Sequence, residues 1–187
     1  NTICLNTKNE LLAAPLDNSV LIAFSTGVIV PESALKKVSS AYNLHPGSPN
    51  YPGRDPHYWA MNDGADRFGC TAHVMDLVVD SGDIINTVLF DVVETDTAEV
   101  LRAKAEIVGL RLFEDLVSAV LEGTVDSAET FWSGITRTRK DFYRCNLTFE
   151  PDQEIELSGL EDYDLGNAFF FGIRVPQNKQ LANQYYI

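Results

Sequence analysis

One stretch limits the folds open to this chain more than any other, the run from Asp96 to Gly123. Asp96 followed by Thr97-Ala98-Glu99 is a capping-box pattern: a short acceptor side chain closes a helix start, and the acidic residue three positions on reaches back. Leu101, Ala105, Val108, Leu112, Leu116 and Ala119 then recur at steps of three, four and seven, flanked by Val100, Ile107, Leu110, Phe113, Val117 and Val120. A stripe that wide must be buried against another element. Arg102 with Glu106, and Arg111 with Asp115, are four residues apart on the remaining face, and Gly123 can turn left-handed just past the end. The spacing predicts a helix over 97–121 with a greasy side, a wet side and a stop.

What such a helix lies on is written around it. Cys70–Asp80 and Ile84–Glu94 read as strands joined by Ser81-Gly82-Asp83, a tight hairpin composition. Val20–Val30 is rich in β-branched residues and reads as a strand with a break at Gly27. Pro31 opens a helix of about three turns through Glu32, Leu35, Val38 and Tyr42. Before it, the apolar patch Leu11–Ala14 is cut by Pro15. His45–Asp66 holds Pro46, Pro49, Pro52 and Pro56 and reads as one long irregular connection, of the kind that tends to serve function or contact. A second helix is expected from Ser127 to Phe142, with Phe131, Ile135 and Phe142 on its apolar side. Cys145, Leu147 and Phe149 alternate with polar residues as in a half-wet strand, and Phe169–Val175 is almost continuously apolar, as a central strand would be. The fold class expected is α+β: a single mixed or antiparallel β-sheet packed by the helix 97–121 and one or two shorter helices. One domain spans 1–175 with a long loop at 45–67, and 176–187 form a C-terminal arm.

A chain of 187 residues with 45% apolar and 10% aromatic content can bury a real core. Its formal charge of −13, with scattered Lys and Arg, argues against specific nucleic-acid binding, which needs clustered cations to displace counterions. No apolar run reaches the roughly 18 residues that cross a bilayer, so no membrane partner is expected. Cys4, Cys70 and Cys145 have neither metal-ligand spacing nor disulfide-framework density, which suits reduced thiols. The chain begins at Asn1 without a methionine or a charged-then-apolar leader, so the numbering is expected to start after a segment not seen here.

The sharpest local match to a catalytic signature is Val78-Val79-Asp80-Ser81-Gly82, which resembles the apolar-Asp-Ser/Thr-Gly turn of aspartic proteases, in which paired aspartates share a proton across a dimer and activate water. Asp83 would place a second charge beside it, and a plain Asp-Ser-Gly turn accounts for the same residues. His45, His57 and His73 lie near Asp55, Asp63, Asp66 and Asp76 in sequence. As strand residues, His73 and Asp76 would point to opposite faces, and so would Cys70 and His73. The histidines are read as loop and sheet residues without special roles, since each would need distant segments to converge. The acidic run Asp152–Asp164 lacks the fixed twelve-residue calcium loop and reads as solvated charge, with docking to a basic neighbour second. No phosphate loop, nucleophile elbow or dinucleotide fingerprint occurs. No catalytic residue, cofactor or metal site is assigned.

Taken in order, Tyr51-Pro52 with Pro56 and Trp59 in a long loop, the strand Phe68–Val79 ending in Asp80, Val92-Val93-Glu94-Thr95-Asp96-Thr97 before a long helix, and Ala168–Pro176 as a closing strand resemble the tail-terminator and tail-completion proteins of tailed bacteriophages. The likeness covers Tyr51 to Gln177. It implies a non-enzymatic virion component, assembled in the host cytoplasm, that forms a homo-oligomer, typically a six-fold ring, and meets other virion proteins at the head–tail junction. An acidic surface would face a basic neighbour or let DNA pass without sticking. Tyr51, Trp59, Asp162, Asp164, Tyr185 and Tyr186 are the expected interaction residues; the arm bearing the last two either orders on a neighbour or packs on its own domain. An aspartic-type hydrolase using Asp80, and a secreted or effector binding protein, are the alternatives.

Overall fold

The computed structural model describes residues 2–137 and Asp141. Among these, α1 (Lys8–Ala13), β1 (Val20–Phe24), α2 (Glu32–Leu35), β2 (Ser40–His45), α3 (Pro56–Asn62), β3 (Arg67–Val74), β4 (Ile84–Asp91) and α4 (Ala98–Glu122) follow in order. They form a mixed four-stranded sheet with helices, in the order β1-β2-β3-β4. β1 and β2 are parallel, which requires the crossover through α2, whereas β2–β3 and β3–β4 are antiparallel.

Alternation along the strands divides the sheet. Tyr42 and Leu44 of β2, with Phe68, Cys70 and Ala72 of β3, face α4, where Leu101, Ala105, Val108, Leu112 and Leu116 close the main core. This is the stripe that the spacing of 97–121 predicted. The residues between them, Asn43 and His45 on β2 and Thr71 and His73 on β3, therefore point to the other face.

The start of α4 differs from the sequence expectation. Thr97, not Asp96, is the cap: its side chain accepts from the Val100 N–H at 3.3 Å. Glu99 accepts from the Tyr58 hydroxyl at 2.9 Å instead of reaching back. A true capping box occurs at Thr7 and Glu10 in α1. Asp96 is freed for a buried pair, with Lys104 Nζ 2.6 Å from its Oδ1 and the Val93 N–H donating to Oδ2 at 3.0 Å. The first half of α4 is accordingly buried almost all round, Lys104 and Glu106 included. The end is as expected, with Gly123 left-handed at φ 69° and its N–H on the Ala119 and Val120 carbonyls.

Other boundaries move for identifiable reasons. β1 stops at Phe24, because Ser25 takes a positive φ of 45° that extended structure cannot carry. The expected three-turn helix after Pro31 is one turn; Ser40–His45, including Tyr42, is instead β2, where pairing with β1 and β3 on both sides outweighs a helix-compatible pattern. The long connection 45–67 contains α3, with Pro56 in its first turn. β3 ends at Val74, so the link to β4 is a longer loop, not a tight hairpin. Residues 127–137 are not helical, and Phe131 and Ile135 stand exposed. The strands expected at 145–149 and 169–175, the acidic run and the arm lie outside the described residues.

Candidate active site

His45 ends β2, and Pro46 to Gly53 loop back beside it. Gly47 makes that return possible. A Cβ there would collide with the His45 ring and stand 2.9 Å from Pro56 Cβ. The loop is tied down where Thr71 Oγ1 donates to the Gly47 carbonyl at 2.8 Å. It brings the Tyr51 carbonyl to 2.9 Å from His45 Nε2, and the Gly53 N–H to Asp80 Oδ2 at 2.8 Å.

Strand register does the rest. Asn43 and His73 are Cα partners across β2 and β3, so the residue two places on from Asn43, His45, joins them on one face. Asp80, in the loop after β3, drops into the middle of this group. Its Oδ2 is 3.2 Å from His45 Nδ1, and its Oδ1 is 3.3 Å from His73 Nε2 and 3.4 Å from Asn43 Nδ2. Asn43 Nδ2 is also 3.1 Å from His73 Nε2, and His73 Nδ1 is 2.8 Å from the Val74 carbonyl. The Asp80 and His45 side chains are only 3% and 5% exposed.

These four side chains lie in a cleft of about 510 Å³ at the carboxyl ends of the parallel strands β1 and β2. Ligands in open sheets with parallel strands bind in that position. Three non-glycine residues that line it, Ser25, Asp55 and Asp80, have positive φ values of 45°, 57° and 49°. Such strained conformations gather where a site needs a side chain aimed against the backbone's preference.

The electrostatics set the resting state. Burial lowers the His45 pKa from its ordinary 6.5, against the opposing pull of Asp80 and the Tyr51 carbonyl. Burial alone would raise the Asp80 carboxyl. The His73 hydrogen bond, the adjacent His45 ring and the Gly53 N–H outweigh it and hold Asp80 below its usual 3.8. Asp80 is therefore ionised and His45 neutral near pH 7. Yet both His45 nitrogens face acceptors, Asp80 and the Tyr51 carbonyl, and a neutral ring can donate to only one. The pair is poised to accept a proton, with both partners of the imidazolium already in place. Asn43 adds an amide donor, and the whole is an acid–base centre suited to acyl-type transfer.

The comparisons with known proteins name the family. The family described as Formyl transferase matches residues 6–116, and the chain belongs to it. A methionyl-tRNA formyltransferase of Bacteroides fragilis (strain ATCC 25285) is 34% identical over 87 residues, 46% of this chain and 27% of that protein. One from Streptococcus pyogenes serotype M2 (strain MGAS10270) is 31% identical over 175 residues, 89% of this chain and 54% of its own length. The chain thus spans about a quarter to a half of the length of these curated relatives. Among solved structures, the N-formyltransferase from Helicobacter canadensis, in complex with folinic acid and dTDP-3-aminofucose, superposes with a TM-score of 0.62 at 23% identity, covering 70% of this chain and 49% of that one.

Membership of a family of transferases overturns the assembly reading. The tail-terminator likeness rested on element order and a few residues, which unrelated domains can share. With it fall the non-enzymatic role, the ring, the virion partners and the virion localisation. The hydrolase and effector alternatives fall as well: Asp80 lies between histidines of its own chain, in a formyl transferase domain.

His45 and His73, given no role from sequence, are brought together by β-pairing. His57 lines the same cleft from α3. Cys70 is on the core face, and burial pushes its thiol up, away from nucleophilic use. Among the described residues no cluster of His, Cys, Asp and Glu could hold a metal ion. Trp59 is buried with Tyr58 and Ala98, and Tyr51 packs on Phe68. Asp162, Asp164, Tyr185 and Tyr186 lie outside the described residues. The signal that could have found the site is Asn43-Leu44-His45, whose outer residues share a face once Ser40–His45 is recognised as a strand.

Proposed function

We propose that this chain carries the reacting centre of an N-formyltransferase, in one domain built on a single sheet, with Asn43, His45, His73 and Asp80 as its working groups. The observation that carries the reading is the convergence of these four on the cleft floor, with Asp80 ionised and His45 neutral.

The reaction joins a primary amine to a formyl carbon. The amine lone pair forms the new C–N bond, negative charge develops on the formyl oxygen, and the old bond to the donor nitrogen breaks. Asn43 supplies an N–H toward that oxygen. The proton shed by the amine passes to the Asp80–His45 pair as a unit, leaving an imidazolium that donates to Asp80 and Tyr51. The departing nitrogen takes the proton back, so the site ends as it began. His73 fixes the Asn43 amide from the neighbouring strand.

A reduced folate fits as formyl carrier. The cleft volume is that of a small-molecule site, and Val28, Ile29, Val30 and Leu35 give it an apolar arm for a flat ring system. When bound, such a carrier supplies the formyl group on a nitrogen that can leave. The Helicobacter structure with folinic acid supports this assignment by analogy. The similar proteins name two acceptors, an aminoacyl-tRNA and an amino sugar nucleotide, and both present a primary amine.

The test is direct. The full chain is incubated with a formyl-tetrahydrofolate and, separately, methionyl-tRNA or a dTDP-amino sugar, and the N-formyl product is read by mass spectrometry. Product with either acceptor, lost in Asp80→Asn, supports the reading. Product that persists undiminished in Asp80→Asn refutes it.

A further inference from the structure

Trp132 lies beyond the residues matched by the family and beyond the end of α4. It nevertheless reaches three parts of the centre at once. Its Nε1–H donates to the Gly82 carbonyl at 2.8 Å, two residues from Asp80. Its ring meets the His73 ring nearly at right angles, with centroids 5.0 Å apart, and the His45 ring at 71° and 5.7 Å. The segment that carries it also holds the loop beside His45. The Ser133 N–H donates to the Pro49 carbonyl at 3.0 Å, the Ser133 hydroxyl to the Asn50 carbonyl at 3.0 Å, and Arg137 pairs with Asp63 at 2.7 Å.

We propose that Trp132 is a positioning residue for formyl transfer: it backs both histidine rings, fixes the Asp80 loop through Gly82, and keeps water from behind the proton-accepting pair. The inference rests on the proposed transferase reading. Edge-to-face packing between rings sets their tilt, and misplacing reacting groups by about 1 Å can cost on the order of a hundredfold in rate. Trp132 acts through the two rings it touches and the Gly82 carbonyl it holds.

The charged surroundings of His45 give the idea a readout other than activity. His45 faces Asp80 from the loop after β3 and His73 from β3 itself. Arg54, Asp55 and His57 line the cleft from the loop before α3 and from α3, Asp76 lines it from the loop after β3, and Arg102 and Glu106 do so from α4. None of these charges changes when Trp132 is replaced. Loss of the indole therefore alters the His45 environment chiefly by admitting water.

Trp132→Leu and Trp132→Phe would be compared with the parent chain by NMR titration of the histidine rings and by steady-state kinetics. In Trp132→Leu, the His45 midpoint moves upward toward 6.5, kcat falls about tenfold or more with KM little changed, and the acid limb of the rate profile moves up with the midpoint. Trp132→Phe keeps a ring beside the histidines but lacks the N–H that holds Gly82, so it recovers the His45 midpoint and only part of kcat. An unchanged His45 midpoint in a folded Trp132→Leu variant overturns the inference, as does a shifted midpoint that Phe fails to restore. The NMR arm reads the positioning even if the parent forms no N-formyl product, so failure of the transferase reading shows separately.

Discussion

The pair Asp96–Lys104 offers a test of how this fold tolerates charge in its core. The two side chains are 1% and 0% exposed, and the contact is 2.6 Å long. At an effective dielectric of about 20, charges at that separation attract by roughly 6 kcal/mol, but desolvating both costs a comparable amount. The intact pair is therefore worth little beyond a well-packed apolar replacement, whereas half of it is a liability. Asp96→Asn keeps the shape and an acceptor for the Val93 N–H, yet leaves the Lys104 ammonium buried over Phe90 with no counter-charge. That should remove about 3–5 kcal/mol, a large share of the roughly 5–15 kcal/mol that stabilises a domain. Lys104→Met placed on top of Asp96→Asn should recover most of the loss. Urea unfolding at neutral pH, followed by circular dichroism, gives the midpoints and slopes. A loss below about 1 kcal/mol in Asp96→Asn, or a double variant no better than the single, would refute the reasoning.

Gly47→Ala forces the His45 ring off its position and should lower kcat about a hundredfold and also lower the melting temperature; a rate within twofold of the parent contradicts the close approach seen here. Gly109→Ala would set a Cβ 2.8 Å from the Phe24 ring and 3.0 Å from Cys70 Sγ. Overpacking of about 1–3 kcal/mol should exceed the gain of about 1 kcal/mol in helix propensity, so the melting temperature falls. For pH, the unfolded His45 ring takes up a proton below 6.5 that the folded ring resists, so its effect is to weaken the fold as pH drops through 6.5. Asp80 works elsewhere: its stabilisation holds above 3.8 and fades only as pH falls through its lower folded value. Melting temperatures between about pH 7.5 and 5.5 should therefore decline less steeply in His45→Gln than in the parent.

The helix at 98–122 was legible because its stripe repeats over seven turns, and no local accident hides a signal of that length. β2 was not. Ala41, Tyr42 and Leu44 fit a helical continuation of the Pro31 pattern as readily as a strand, and only the neighbours on both sides decide. That single error concealed the site, because it separated Asn43 from His45 and left His45 as a loop residue. Asp80 was singled out for a turn motif shared with another chemistry. Its true partners come from β2, β3 and the loop at Gly53, contacts that sequence separation makes invisible in one chain. Asp96 misled for a simpler reason: it sits where a cap should be, yet the fold pairs it with the buried Lys104, eight residues on along the helix.

In the proposed mechanism Asp80 and His45 together take the proton of an attacking amine. Single-turnover formyl transfer by the full chain, measured for the parent and for Asp80→Asn after circular dichroism has shown both to be folded, tests it most directly. In Asp80→Asn, formyl-carrier binding should stay within a few-fold of the parent while the transfer rate falls by about 10²–10⁴. A transfer rate equal to the parent's would contradict it.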